Sequence, residues 1–146
     1  MKISTKGRYA LRMMLDIAEN QSNGLVRLKD ISERQEISEK YLEQIVSSLV
    51  KAGMVKGVRG AQGGYKLSQD PHEYTIGSIL RITEGSLAPV ACLDDPENSC
   101  PRKEMCSTLS LWQEFNKVIN EFFDSKTLQD ILDEKKECYC CYDYNI

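Results

Sequence analysis

Three of the chain's six cysteines, Cys92, Cys100 and Cys106, follow the spacing C-x7-C-x5-C in a run, ACLDDPENSCPRKEMC, broken by Pro96 and Pro101. The other three, Cys138, Cys140 and Cys141, crowd the end of the chain. Thiols gathered in two places suit metal, cluster or redox chemistry, or are inert side chains of a loop and a tail. Thiolates are the usual protein ligands of iron–sulfur clusters. Structural zinc favours C-x2-4-C knuckles, in which one tight turn brings two sulfurs to one ion. The 92–106 run has no such knuckle, which makes a zinc-stabilised scaffold the less natural reading.

The elements around these thiols decide what they serve. At 146 residues, with 41% hydrophobic and 28% charged side chains, the chain suits one compact domain or a small domain with an added oligomerisation element. No apolar run is long enough to span a bilayer, and MKISTKGRYALRMM has no uninterrupted apolar core or small-residue cleavage site. These features place the protein in the cytoplasm, away from membranes, with its thiols mostly reduced. No cofactor-binding fingerprint and no catalytic pair is present, so a thiol oxidoreductase is poorly supported and the chain is expected not to be an enzyme.

The formal net charge of −3 conceals a division. Residues 1–67 hold twelve Lys or Arg against seven Asp or Glu, a net +5, and residues 68–146 hold seven against fifteen, a net −8. A basic front and an acidic back are expected where only the front meets phosphate.

Apolar residues at helical spacing predict a first helix from about Lys6 to Asn20, capped by Ser4 or Thr5; Lys2, Lys6, Arg8 and Arg12 crowd its start, either as a solvated face or, in a DNA reader, near the backbone. A short helix follows around Leu28–Gln35, then a tight connection, then Ser38 as cap of EKYLEQIVSSLVKAG, whose Leu42, Ile45, Val46 and Leu49 share one face. This is a helix-turn-helix pattern. Residues 54–67 read as strand, glycine-rich tip and strand, with Gly60, Gly63 and Gly64 permitting the turn and close approach to DNA. A basic hairpin directly after a recognition helix is a wing, and its Arg59 suits a narrow, electronegative minor groove. The competing phosphate loop lacks the Walker spacing. Thr75 caps a predicted helix over Ile76–Glu84. His72, the lone histidine, reads as an ordinary loop residue.

Beyond the cysteine run, STLSLWQEFNKVINEFFDS carries the strongest helix signal. Leu111, Phe115, Val118 and Phe122 follow 4-3-4 spacing, and Trp112, Ile119 and Phe123 widen the stripe beyond what one small domain buries. Thr127 then caps a short helix over Leu128–Asp133. The expected fold is mainly α with a small β-hairpin wing: a winged helix-turn-helix plus a long dimerisation helix. The corresponding divisions are 1–85 (DNA-binding), 86–106 (cysteine loop), 107–134 (dimerisation and the following helix) and 135–146 (tail).

MKISTKGRYALR, ISERQEIS-x-x-YLEQ and VRGAQGGYKL closely resemble the IscR/CymR/NsrR family of bacterial winged-helix repressors, over nearly the whole chain. The resemblance implies a homodimer on double-stranded DNA. Glu43 and Gln44 would read base edges, Lys40 and Tyr41 would lie near the backbone, and Arg59, beside Gly60, would fill the minor groove. Lys40 replaces a small hydroxyl residue of some relatives, which implies a different sequence preference. The resemblance also implies Cys92, Cys100 and Cys106 as ligands of an iron–sulfur cluster, with the two-iron form favoured over the four-iron form.

The fourth ligand departs from the family. Where IscR has a histidine this chain has Leu109, and where NsrR-type relatives supply an aspartate it has Arg8. His72, Glu104, a tail cysteine and a residue of the other subunit are the candidates. The end, Asp143-Tyr144-Asn145-Ile146, resembles the C-terminal isoleucine peptides that enter the active site of cysteine synthase. A carboxylate beside one apolar anchor mimics an amino-acid substrate. Two regulatory readings therefore stand: a cluster-sensing repressor of iron–sulfur assembly or cysteine-supply genes, and a cluster-free, CymR-like repressor of sulfur metabolism acting with cysteine synthase through Ile146.

Overall fold

The first helix, α1 (Thr5–Asn20), starts where Ser4 accepts a hydrogen bond from the Gly7 N–H at 3.1 Å. The computed structural model describes residues 1–142, with α2 (Leu28–Gln35), α3 (Glu39–Lys51), β1 (Val55–Val58), β2 (Gly64–Leu67), α4 (Ile76–Glu84), α5 (Leu109–Ser125) and α6 (Leu128–Tyr142) following in order. The mainly helical architecture with one small hairpin matches the pattern expected from sequence.

Met13, Met14 and Ile17 of α1, Ile31 of α2 and Leu42, Ile45 and Leu49 of α3 are fully buried in one core with Val55, Ile79 and Leu128. Each such side chain contributes roughly 2 kcal/mol by leaving water. One charge is sealed in beside them. Asp16 accepts from Arg34 Nε at 3.0 Å and Nη2 at 2.6 Å and from Gln35 Nε2 at 2.9 Å, which joins the end of α2 to α1. Asp16 is 1% exposed, and these donors supply the hydrogen bonds that a buried carboxylate requires.

The hairpin pairs antiparallel in the register Val55↔Leu67 to Val58↔Gly64. Its second strand also bridges Val26, through Val26 N to Tyr65 O at 2.9 Å and Tyr65 N to Val26 O at 2.7 Å. Tyr74 locks the base of the hairpin: its hydroxyl donates to the Met54 carbonyl and accepts from the Gln69 N–H, both at 2.8 Å. Burial pushes the Tyr74 hydroxyl above its usual pKa.

The long helix is attached by a second, smaller apolar cluster of Ile76, Leu80, Leu87 and Ile119, with Phe123 and Ile131 packed on it. The remaining part of its stripe faces outward. Leu111 (56%), Phe115 (45%), Val118 (56%) and Phe122 (57%) are exposed. Two sequence expectations shift here. α5 begins at Leu109 instead of Ser107, and the helix after Thr127 runs to Tyr142 instead of stopping at Asp133. Thr127 and Asp130 cap each other's backbone N–H groups as expected, and no Gly or Pro follows to stop α6. Lys135 then fastens α6 to Glu19 of α1 at 2.6 Å. Among the described residues no helix is long and apolar enough to cross a membrane.

Candidate nucleic-acid interface and thiol loop

Ser38 caps α3 by accepting from the Tyr41 N–H at 3.4 Å, and Glu36 takes the left-handed conformation (φ 54) that turns the chain out of α2. Because Leu42, Ile45, Val46 and Leu49 point into the core, helical geometry sends Lys40, Glu43, Gln44 and Ser47 to the opposite face, where all four are exposed. Tyr41 is half-buried and meets Tyr9 edge-on, with ring centroids 5.8 Å apart.

The wing stands beside that face. A groove between them is lined by Glu43, Ser47, Val50, Val58, Arg59 and Tyr65, so a carboxylate of the helix and a guanidinium of the wing border one space. The tip is a close turn in which the Gly63 N–H donates to the Gly60 carbonyl at 2.9 Å, with Gly60 at φ 111. A Cβ on Gly63 would stand 2.2 Å from the Val58 carbonyl oxygen, so glycine is required there. Arg27, the residue before α2, donates to the Ala61 carbonyl at 3.1 Å and pins the tip from the side. Sequence reasoning missed Arg27, because nothing local marks a contact between residues 34 positions apart. Arg12, exposed as Arg8 is, lies over the Tyr9 ring and bonds Gln35.

The thiol loop connects α4 to α5. Cys92 lies in a short 3-10 turn (Ala91–Leu93) and is half-buried, as is Cys100, whose N–H donates to the Asn98 side chain at 2.9 Å. Cys106 follows a second turn (Lys103–Met105), is exposed, and stands 3.6 Å from the Thr108 hydroxyl. That hydroxyl, with the Thr108 and Leu109 backbone N–H groups and the charge of Arg102, holds the Cys106 thiol below its ordinary pKa. All three thiols are free. The donor set therefore fits an iron–sulfur cluster in kind.

It is not gathered at one point: among the described residues no three of His, Cys, Asp or Glu are grouped to hold a metal ion. Of the candidate fourth ligands, His72 is exposed and its Nδ1 lies 2.6 Å from Asp70. Glu104 is exposed within the loop, and Cys138 is exposed on α6. Leu109 opens α5, and Arg8 donates to the Thr5 hydroxyl at 3.1 Å. Ile146 lies outside the described residues, as do the side chains of Cys140 and Cys141.

A helix-turn-helix whose second helix shares a groove with a basic hairpin defines a winged helix-turn-helix DNA-binding protein. The Rrf2 family, iron-dependent transcriptional regulators, matches residues 3–134, and the chain belongs to it. The transcriptional regulator CymR of Bacillus subtilis is 43% identical over 145 residues, covering 97% of this chain and 99% of that protein. The solved structure of that global cysteine regulator superposes with a TM-score of 0.74 at 42% identity, over 92% of this chain and 98% of its own. T. potens IscR gives a TM-score of 0.74 at 40% identity, covering 94% and 90%. The chain is thus a transcriptional regulator of the CymR/IscR type, not an enzyme.

Proposed function

We propose that the protein is a homodimeric repressor that reads near-palindromic double-stranded DNA, controlled through the thiols of residues 92–106. The observation that supports DNA reading most is the groove bordered by both Glu43 and Arg59. In this reading α3 enters the major groove. Gln44 pairs with adenine, and Glu43 accepts from cytosine while repelling phosphate, so it rejects wrong sites as well as choosing right ones. Lys40 and Tyr41 lie against the backbone. Arg59, carried next to Gly60 at the tip, enters the minor groove. The outward stripe of α5 pairs two copies, which sets two wings on one operator.

Cys92, Cys100 and Cys106 would hold an iron–sulfur cluster, with His72, Glu104, a tail thiol or a residue of the other subunit completing the set. A bound cluster supplies redox-sensitive ligation that is made or lost with iron and oxidants. The protein's own part is positional. The loop ends at Cys106, three residues before α5 begins, so drawing the thiols together acts on the start of the pairing helix. Genes of iron–sulfur assembly or cysteine supply are the fitting targets.

Full-length similarity to CymR favours a second reading: a cluster-free repressor of sulfur metabolism that answers to cysteine synthase through Ile146. Anaerobic purification with absorption spectroscopy and iron and sulfide analysis separates the two. Bound iron with sulfide, lost in Cys92→Ala with folding intact, is the result expected of the first reading, and the number of irons per chain together with the absorption spectrum identifies the cluster. A colourless, iron-free protein after anaerobic reconstitution removes it. The second reading expects cysteine synthase to be retained by the full chain and released when Ile146 is deleted. Arg59→Ala should weaken operator binding under either.

A further inference from the structure

We propose that Arg12 is a positioning residue for the recognition helix, one link in a polar and aromatic chain running from a buried carboxylate to Tyr41. The inference rests on the reading of α3 as the DNA-reading helix, and it assigns Arg12 a part other than phosphate contact.

The chain starts at Asp16, whose oxygens take donors from Arg34 and from the Gln35 side-chain amide. Gln35 is thereby fixed in orientation. Its side-chain oxygen then accepts from Arg12 Nε at 3.1 Å, and its main-chain carbonyl accepts from Arg12 Nη2. The same guanidinium lies over the Tyr9 ring, 5.1 Å from its centroid. Tyr9 meets Tyr41 of α3 at an interplanar angle of 81°.

Gln35 is the last residue of α2, and Glu36, the next residue, makes the left-handed turn toward α3. The final carbonyls of a helix have no partner within it, and a cation is favoured at that end. Arg12 supplies both a donor and a charge at the bend of the helix-turn-helix. The bend is also held by Ile37 N to Ser32 O at 3.3 Å and by Ser32 Oγ to Ile37 O at 2.5 Å. Two directional donors and a flat face that stacks on an aromatic ring are properties of arginine that lysine lacks. Arg8, one turn earlier and exposed as Arg12 is, donates instead to the Thr5 hydroxyl of its own helix. The two arginines, alike in sequence, are set to different work.

The test separates positioning from phosphate contact. The parent first selects its operator from a library of random duplexes. Parent, Arg12→Lys, Arg12→Gln, Tyr9→Phe and Arg8→Gln are then titrated by fluorescence anisotropy onto that operator and onto an unselected duplex, across a series of salt concentrations. A phosphate contact adds about one to the slope of log affinity against log salt for each neutralised phosphate. Both Arg12 variants should lose roughly tenfold in operator affinity with the parent's salt slope. Their binding to the unselected duplex should stay at the parent's level. Tyr9→Phe, which keeps the ring, should behave as the parent does, and Arg8→Gln should lower the slope.

Arg12→Lys binding as the parent does, with Arg12→Gln lowering the slope, would make Arg12 a phosphate contact and overturn the proposal. Parent-like binding by both Arg12 variants overturns it equally. If thermal melts show the Arg12 variants unfolded, Tyr9→Leu takes their place, with the same loss at constant slope expected and parent-like binding counting against. A parent that selects no operator sinks the recognition-helix reading itself, and this is seen before any variant is compared.

Discussion

Arg81 of α4 grips Asp124 of α5 at two points, Nη1 to Oδ1 at 2.7 Å and Nη2 to Oδ2 at 2.8 Å, while Nη2 also donates to Asn120 at 2.6 Å. The fork joins the winged helix to the long helix beside Ile119, the one buried residue of α5. Bidentate geometry fixes angle as well as distance. The apolar cluster holds α5 close, and the fork sets its direction.

The Arg81–Asp124 pair is partly exposed, at 36% and 45%, so its free energy is discounted for solvent screening. A double-mutant cycle with Arg81→Ala and Asp124→Ala, read by denaturant melts, should give a coupling of about 0.5–1 kcal/mol. A coupling of zero would mean that packing alone orients α5.

The same pair has a pH signature. The Arg81 guanidinium holds the Asp124 carboxyl below the usual carboxylate range. A group with a lowered folded-state pKa stabilises fully above its unfolded value, about 3.9 for Asp. That contribution is lost as pH falls through the folded value. Asp124→Asn should therefore show a flatter loss of stability on acidification below about pH 4 than the parent. Identical acid limbs would refute this.

Tyr74→Phe removes one oxygen and leaves two backbone groups, the Met54 carbonyl and the Gln69 N–H, without their partner. With Tyr74 only 1% exposed, water cannot easily replace it. The expected loss is about 1–3 kcal/mol in chemical unfolding. Amide exchange at Gln69 should quicken with it, and unchanged exchange would place the hydroxyl's role elsewhere.

Gly63→Ala forces a methyl group against the Val58 and Gly60 carbonyls, at 2.2 and 2.9 Å. The wing tip must open, so operator affinity should fall roughly tenfold or more while the helical circular dichroism remains. Ala61→Gly, at an exposed tip position, is the control and should bind nearly as the parent does.

Val118→Asp with Phe122→Asp should convert a dimer to a monomer in analytical ultracentrifugation. Both side chains are more than half exposed within one copy, so the chain's own fold should lose little. Operator binding should weaken sharply, because two half-sites are no longer read together. A monomeric parent would remove the pairing role of α5.

Local chemistry made much of this protein legible in its residues. Ser4, Ser38, Thr75 and Thr127 each cap the helix that follows, because capping needs only residues three positions apart. The wing was equally plain, since a basic strand–glycine–strand run after a helix-turn-helix has few other uses. Periodicity marked the apolar stripe of α5 but could not divide it. Only packing against α4 shows that Ile119 and Phe123 turn inward while Leu111, Phe115, Val118 and Phe122 do not.

What the chain order could not carry was long-range pairing. Arg8 and Arg12 belong to one basic cluster by sequence, and the contact with Gln35, 23 residues on, distinguishes them. Lys135 of α6 meets Glu19, 116 residues away, a pairing that chain order likewise does not announce. Caps, turns and stripes are short-range consequences of backbone geometry, so residue types determine them directly. Which cation meets a neighbouring helix, and which half of a stripe stays open, depends on surfaces that exist only once the helices have packed.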